Sequence, residues 1–398
     1  MTKGPGIART LLPLGFSAAG VNCGVRRYRP DLGIIISDRP STAAGVFTQN
    51  ALAAAPVRYC QALLPADSIR AIITNSGQAN AATGPEGDKA NRDMAFEVAK
   101  ELGCYPREVL TASTGVIGHD LEIGKILPAI SHLVMRADET AENFALAILT
   151  TDLVPKTVTT TVDLSGGMVR ITGICKGSGM IHPNMATMLG YLLTDAEISP
   201  TKAYSYLKEA TDVSFNMISV DGDTSTNDSC FMMANGASGV SLATEADEAK
   251  FREALIEIAI VLAQSIASDG EGASKLVEVN VTHGLSQSVV KQAARKVTMS
   301  PLVKTAMHGE DPNWGRILAK LGEENVTAGE LGKMELKVQG AILFTNGKPV
   351  AFDRELVKAL LKTHKIRIDI DLGSGQAEAT AWGCDLSAKY VEINTEYS

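Results

Sequence analysis

Two short turns decide much of what this chain can fold into. Ser165-Gly166-Gly167 separates the alternating segments 157–163 (TVTTTVD) and 168–174 (MVRITGI), and Asn346-Gly347 lies between 335–344 and 349–352. Glycine and asparagine reach positive φ at low cost, so such turns between period-two segments close β-hairpins. Hairpins cannot be built into a purely parallel sheet. Further β-branched segments, 33–38 (GIIISD), 71–76 (AIITNS), 275–282 (KLVEVNVT) and 365–372 (KIRIDIDL), read as strands. Helical spacing interrupts them. Met94, Ala95, Val98, Ala99 and Leu102 share one face of 88–102, and Gly103 follows as a C-cap. Segment 138–150 has acids in its first turn and reads as another helix, and Phe251, Leu255, Ile258 and Leu262 line one face of 246–267. The expectation is α/β layers around mixed or antiparallel sheets.

Composition narrows the function classes. A chain of 398 residues suits two or three domains, or one large α/β body with a lobe, and 45% hydrophobic residues exclude disorder. With 37 Lys+Arg against 45 Asp+Glu the net charge is −8, and aromatics are 5%, so no nucleic-acid groove is expected. No apolar run approaches the roughly 18 residues a membrane span needs. The early LLPLGF patch, broken by Pro13, is too short for a signal peptide. The expected compartment is cytoplasmic, with no membrane partner. Six cysteines lie far apart without a CxxC, and read as reduced thiols, with Cys175 packed as a small hydrophobe. Six scattered histidines and no HExxH give no metal site. Lys176 precedes its glycines and Gly177-Ser178-Gly179 lacks a third, so no phosphate loop is formed. Asp221, Asp223, Ser225 and Asn227 alternate like a calcium loop, but Thr226 and Met232 stand where that loop needs Gly and Glu. No cofactor is expected.

Residues 176–195, KGSGMIHPNMATMLGYLLTD, carry the chemistry. One reading is a Gly/Pro/Asn turn before the apolar strand Met188–Leu193. A sharper one is self-cleavage. The Thr187 hydroxyl attacks the carbonyl of Ala186, the ester hydrolyses, and Thr187 becomes a new N-terminus. An α-amine titrates near 7.7–8.0, so it can take the hydroxyl proton as general base. Threonine paired with its own amine is a recognised form of activated nucleophile.

Eight motifs then occur in order: NSGQANAATG (75–84), STGVIG (113–118), TTDLVPK (150–156), KGSGMIHPNMATML (176–189), SVDGDTSTND (219–228), DGEGASK (269–275), EDPNWGRI (310–317) and YVEINTEYS (390–398). Together they resemble the ornithine acetyltransferase (ArgJ) family of arginine biosynthesis, from end to end. The resemblance implies cleavage between Ala186 and Thr187 into an α chain (1–186) and a β chain (187–398), with Thr187 the nucleophile in cleavage and in acetyl transfer. It implies a DmpA/ArgJ-like layered αββα sandwich, completed by 187–280, with a smaller C-terminal α/β lobe over 281–398. The chains would assemble as an α2β2 heterotetramer. Thr114 and Gly115 would be the oxyanion hole, a hydroxyl and a backbone N–H aimed at one oxygen. Thr150, Thr151, Lys176, Thr187, Glu271, Asn394 and the terminal Ser398 would contact substrate, although the family's last contact usually lies slightly beyond the point where this chain stops. Asp223, Asn227, Asp311 and Arg316 receive no catalytic step; bracing the site or a buried charge network would each account for them.

The implied activity is glutamate N-acetyltransferase: acetyl passes from N2-acetylornithine to Thr187 and then to glutamate. Some members also use acetyl-CoA as donor. No coenzyme A signature is visible, so that second activity stays open. Two alternatives remain at this point, an N-terminal-nucleophile aminopeptidase or amidase, and a non-catalytic binder of basic amino acids.

Overall fold

The computed structural model describes residues 9–182 and 188–396. The described residues fall into two compact units. The first holds the chain up to Gly177, Met188 to Asp212, and Thr224 to Leu262; the second holds Ser178 to His182, Val213 to Asp223, and Ala263 onward. Helix Glu245–Ser268 carries the chain from one into the other. The smaller lobe was expected over 281–398; strand Leu276–Gly284 crosses that point and pairs with Lys365–Asp371, and the chain from Ala263 onward belongs to the second unit.

The strands in chain order are β1 Phe16–Val21, β2 Leu32–Phe47, β3 Ala66–Gln78, β4 Val109–Val116, β5 Lys156–Leu164, β6 Gly167–Lys176, β7 Leu189–Thr194, β8 Ile218–Ser219, β9 Ser229–Ala234, β10 Leu276–Gly284, β11 Glu335–Val338, β12 Ala341–Thr345, β13 Lys348–Pro349, β14 Lys365–Asp371 and β15 Ala377–Cys384. Among the described residues, the first unit forms one mixed sheet, ordered β4-β3-β2-β9-β7-β6-β5 with β1 paired to β2. β5–β6 is the hairpin expected around 165–167. The apolar run after Thr187 becomes β7, wholly buried between β6 and β9.

Alternation along β2 and β3 covers both faces of this sheet. Ile34, Ile36 and Ile73 pack with Met94 and Val98 of helix Gly84–Leu102 and with Ile126 and Ile130 of helix Ile123–Met135. Ile35 and Ile72 pack on the other face with Cys60, Phe144, Ile148, Tyr191 and Phe231. Burying side chains of this size contributes about 1.5–3 kcal/mol each. Gly103 caps the first of these helices in the left-handed conformation, as expected.

The helix expected over 138–150 is only Glu142–Ala147. Asp138 and Thr140 instead bridge to Ala18 and Leu11 as a sheet edge, and the Asp138 carboxylate takes up the Thr140 N–H.

The second unit's sheet runs β13-β12-β11-β14-β10-β15-β8, with helix Gln287–Met299 lying on β10 and β15. Asn346 and Gly347 take positive φ and turn β12 into β13, as expected. The single strand expected over 335–344 is broken by a second tight turn, where Gln339 and Gly340 also take positive φ. Both units are mixed α/β, which is the fold class expected. No helix of the described residues is long and apolar enough to cross a membrane.

Candidate active site

Thr114 and Gly115 stand near the end of β4, where the parallel register sets Ser76 opposite Thr114 and Gly77 opposite Gly115. Both glycines have left-handed-side backbones, φ +118° at Gly77 and +129° at Gly115. A Cβ on Gly115 would lie 2.2 Å from the carbonyl carbon of Gly77. A side chain at Gly115 would collide with backbone, and the pair lies in the paired part of β4 rather than in a turn. Beneath it, the Ser113 hydroxyl donates to Asn75 Oδ1 at 2.6 Å, and Asn75 Nδ2 donates to the Gln78 carbonyl at 2.9 Å. The SVDGDTSTND segment meets the same corner. Asn227 Nδ2 donates to the carbonyls of Ala79 and, at 2.9 Å, Ser113.

Thr150 and Thr151 form the lip of a loop whose centre is Asp152, 0% exposed. Asp152 accepts from the N–H of Thr150 at 3.1 Å and of Gly177 at 2.7 Å. Lys156 Nζ donates to its Oδ1 at 2.8 Å, and Lys176 Nζ lies 3.9 Å from Oδ2. Burial alone would raise this carboxyl, but the two ammoniums and the Gly177 N–H hold it well below the usual carboxylate range. Lys176 is thus buried beside one carboxylate that it shares with a second lysine. Arg26 fixes the loop from outside, donating to the carbonyls of Leu149 and Thr150. Cys175, next in chain, is fully buried, and burial pushes its thiol up to about 12, which suits an inert packing residue.

In the second unit, Glu271 sits under a glycine-lined bend. Its N–H donates to the Ser178 carbonyl at 3.0 Å, and a Cβ on Gly179 would fall 2.4 Å from its carboxylate. Asn394, in the last described helix, donates to Glu271 Oε2 at 2.8 Å. Gly272 has φ +70°, and a Cβ there would strike the backbone of Tyr390. The structure therefore brings DGEG, GSG and the C-terminal segment to one place. Asp221 accepts from the N–H groups of Met180 and Ile181 at 2.6 and 2.9 Å, holding the strand that leads toward residue 183; burial raises its carboxyl. His182 lies between Ser219 Oγ at 3.3 Å and Arg295 Nη2 at 3.0 Å. Burial, then the Arg295 and Lys296 charges, push its imidazole down to about 4, so it is neutral at pH 7.

Ala186, Thr187 and Ser398 lie outside the described residues. Asp311 and Arg316 serve neighbouring helices: Asp311 pairs with Arg354 at 2.6 Å, and Arg316 donates to the Leu302 carbonyl at 2.7 Å. Asp223 donates its N–H to Asp221 at 3.2 Å. No group of three metal-ligating side chains occurs among the described residues.

Comparison with known proteins settles the lineage. A family model described as "ArgJ family" matches residues 17–398. The arginine biosynthesis bifunctional protein ArgJ of Thermotoga neapolitana is 44% identical over 394 residues, 97% of this chain and 99% of the relative. The protein of the same name from Bacillus licheniformis is 44% identical over 388 residues, covering 97% and 95%. The chain belongs to the ArgJ family. A crystal structure of ArgJ from Bacillus halodurans aligns at 37% identity and a TM-score of 0.51, covering 53% of this chain and all of that one.

For this ArgJ family member, sequence reasoning missed Asp152, Lys156, Arg26 and Asn75 as parts of the site's frame. Asp152 and Lys156 lay inside the quoted TTDLVPK motif, and a charge count within that motif would have exposed them. Arg26 had no signal, because its target is backbone 123 residues away in sequence.

Proposed function

We propose that this chain is a glutamate N-acetyltransferase of arginine biosynthesis, moving acetyl from N2-acetylornithine to glutamate. The observation that carries this reading is 44% identity over 97% of the chain to bifunctional ArgJ proteins, and the close approach of Gly115 to Gly77 supports it. In the proposed cycle the chain first cuts itself between Ala186 and Thr187. Thr187 Oγ then attacks the acetyl carbonyl while the Thr187 amine takes its proton. The Thr114 hydroxyl and Gly115 N–H donate to the developing oxyanion, each contributing about 3 kcal/mol. The C–N bond breaks, the amine leaves with the proton as ornithine, and the glutamate amine takes acetyl from the threonine ester. Lys176 takes the substrate α-carboxylate as a point charge. Glu271, steadied by Asn394, takes the side-chain ammonium, and Thr150 and Thr151 line the substrate; Ser398 completes that set. No cofactor is needed for these steps, and acetyl-CoA is a candidate second donor for the same threonine. We place the enzyme in the cytoplasm as two α and two β chains.

The test is product partition. Purified protein given N2-acetylornithine and glutamate should release ornithine and N-acetylglutamate in equal amounts, run as two bands on a denaturing gel, and become one inactive band in Thr187→Ala. Free acetate in place of N-acetylglutamate would convert the reading to an amidase. A single uncut wild-type band without turnover would leave only a binding protein.

A further inference from the structure

Asn227 belongs to a motif to which the reaction assigns no step, yet it touches the frame of the oxyanion pair. It is 6% exposed and sits in the segment just before β9. Its amide has a single consistent orientation. Two carbonyl oxygens, of Ala79 and Ser113, face one end and can only accept, so that end is the NH2. The Oδ1 end accepts from the Thr226 hydroxyl at 2.7 Å. Thr226 is pinned in turn, its carbonyl accepting from the Ala54 N–H at 2.9 Å.

The two carbonyls are not equivalent. Ala79 directly follows β3, and its own N–H donates to the Val116 carbonyl at 2.9 Å. Ser113 lies in β4, and its carbonyl belongs to the peptide whose N–H is that of Thr114. A peptide unit is planar, so fixing that oxygen fixes the plane and the direction in which the chain enters Thr114. The Ser113 hydroxyl, tied to Asn75, holds the same residue from its side chain. The ladder continues through Gly77 and Gly115, but glycines weaken a strand, so the side-chain tie adds to it at that point.

We propose that Asn227 is a positioning residue for acetyl transfer, clamping the Ser113 carbonyl to the Ala79 carbonyl so that Thr114 and Gly115 are held on one oxyanion. The inference rests on the reading of Thr114 and Gly115 as oxyanion donors. It gives the DGDTSTND motif a task in the transition state and none in substrate affinity.

A double-mutant cycle on the purified full-length enzyme tests it. Thr114→Ala should lower kcat by on the order of 10²-fold or more. Asn227→Ser should lower kcat about tenfold, with KM for N2-acetylornithine changed less than about twofold. In the Thr114→Ala background the same Asn227→Ser change should cost only about threefold, because the clamp then aims the Gly115 N–H alone. Thr226→Val, which removes only the hydroxyl that sets the amide, should show the same pattern at about threefold, and serves if Asn227→Ser does not fold. Equal kcat losses from Asn227→Ser in both backgrounds would overturn the clamp while leaving the oxyanion pair standing. An undiminished kcat in Thr114→Ala alone would overturn the oxyanion reading itself.

Discussion

Replacing Asp152 by Asn isolates the charge balance around Lys176. The substitution keeps shape, and Asn Oδ1 can still accept from the Gly177 N–H, now 2.7 Å away, and from Lys156 at 2.8 Å. What is lost is the negative charge shared by two buried ammoniums, one of them 3.9 Å away. The new Nδ2 would also point a donor at Lys176, a second donor. Breaking a buried ion pair by removing one partner costs about 3–5 kcal/mol, and that is the loss expected at pH 7. The pH dependence has a definite sign. The folded carboxyl titrates far below its ordinary value, so its contribution is fully present above about pH 4 and fades as the pH falls further. Asp152→Asn removes that acid-side loss along with the stability itself. The assay is urea unfolding in a Thr187→Ala background, where the chain stays covalently whole, compared at pH 7 and pH 3. The gap between parent and variant should narrow at pH 3. A variant within about 1 kcal/mol of its parent at pH 7 would refute the argument that this carboxylate balances two lysines.

Three further outcomes follow from the same geometry. Gly115→Ala places a Cβ 2.2 Å from Gly77 at φ +129°, so it should destabilise the chain by at least about 2 kcal/mol in thermal unfolding and lower kcat; a soluble variant with normal melting and turnover would contradict the register. Glu271→Gln should raise KM for N2-acetylornithine about tenfold with little change in kcat, and an unchanged KM removes the residue from the substrate. His182 is protonated near pH 4 when folded against 6.5 when unfolded, so the unfolded chain gains the proton first and stability falls as pH drops through that window. His182→Gln should flatten that part of the stability profile, and an unaltered slope between pH 6.5 and 4 would assign it elsewhere.

Much of the fold was legible where a residue's own backbone preference decided the outcome. Asn346-Gly347 and Gly103 announced their turns because positive φ is cheap there. Gln339 takes the same conformation without announcing it, since only its neighbour Gly340 and the pairing of β11 with β12 impose it. Asp138 and Thr140 fall in a segment that reads as a helix from its acidic first turn, yet they bridge to Ala18 and Leu11, a tertiary partner outweighing a weak local preference. In the site, Thr114 and Gly115 could be named from STGVIG. The reason Gly115 tolerates nothing larger is Gly77, and that pairing exists only once β3 and β4 are in register.

The Lys176 environment was only partly legible. The turn was expected at 165–167; in the structure Leu164 pairs with Gly167, and Lys156 with Cys175 at the far end of the hairpin. Alternation then gives Lys176 the opposite face of the hairpin from Lys156, so register alone does not bring the two ammoniums together; Asp152 does, with Lys156 Nζ 2.8 Å from Oδ1 and Lys176 Nζ 3.9 Å from Oδ2. Two ammoniums that close, on strands whose neighbours are apolar, repel unless an acid is brought in with them. Asp152, one turn of chain before Lys156, is the acid that the local sequence supplies. The cluster is a product of the Asp152 loop, and hairpin register by itself would not have stated it. Asp152 takes a hydrogen bond from Lys156 on Oδ1 and faces Lys176 at 3.9 Å from Oδ2, one carboxylate between two ammoniums.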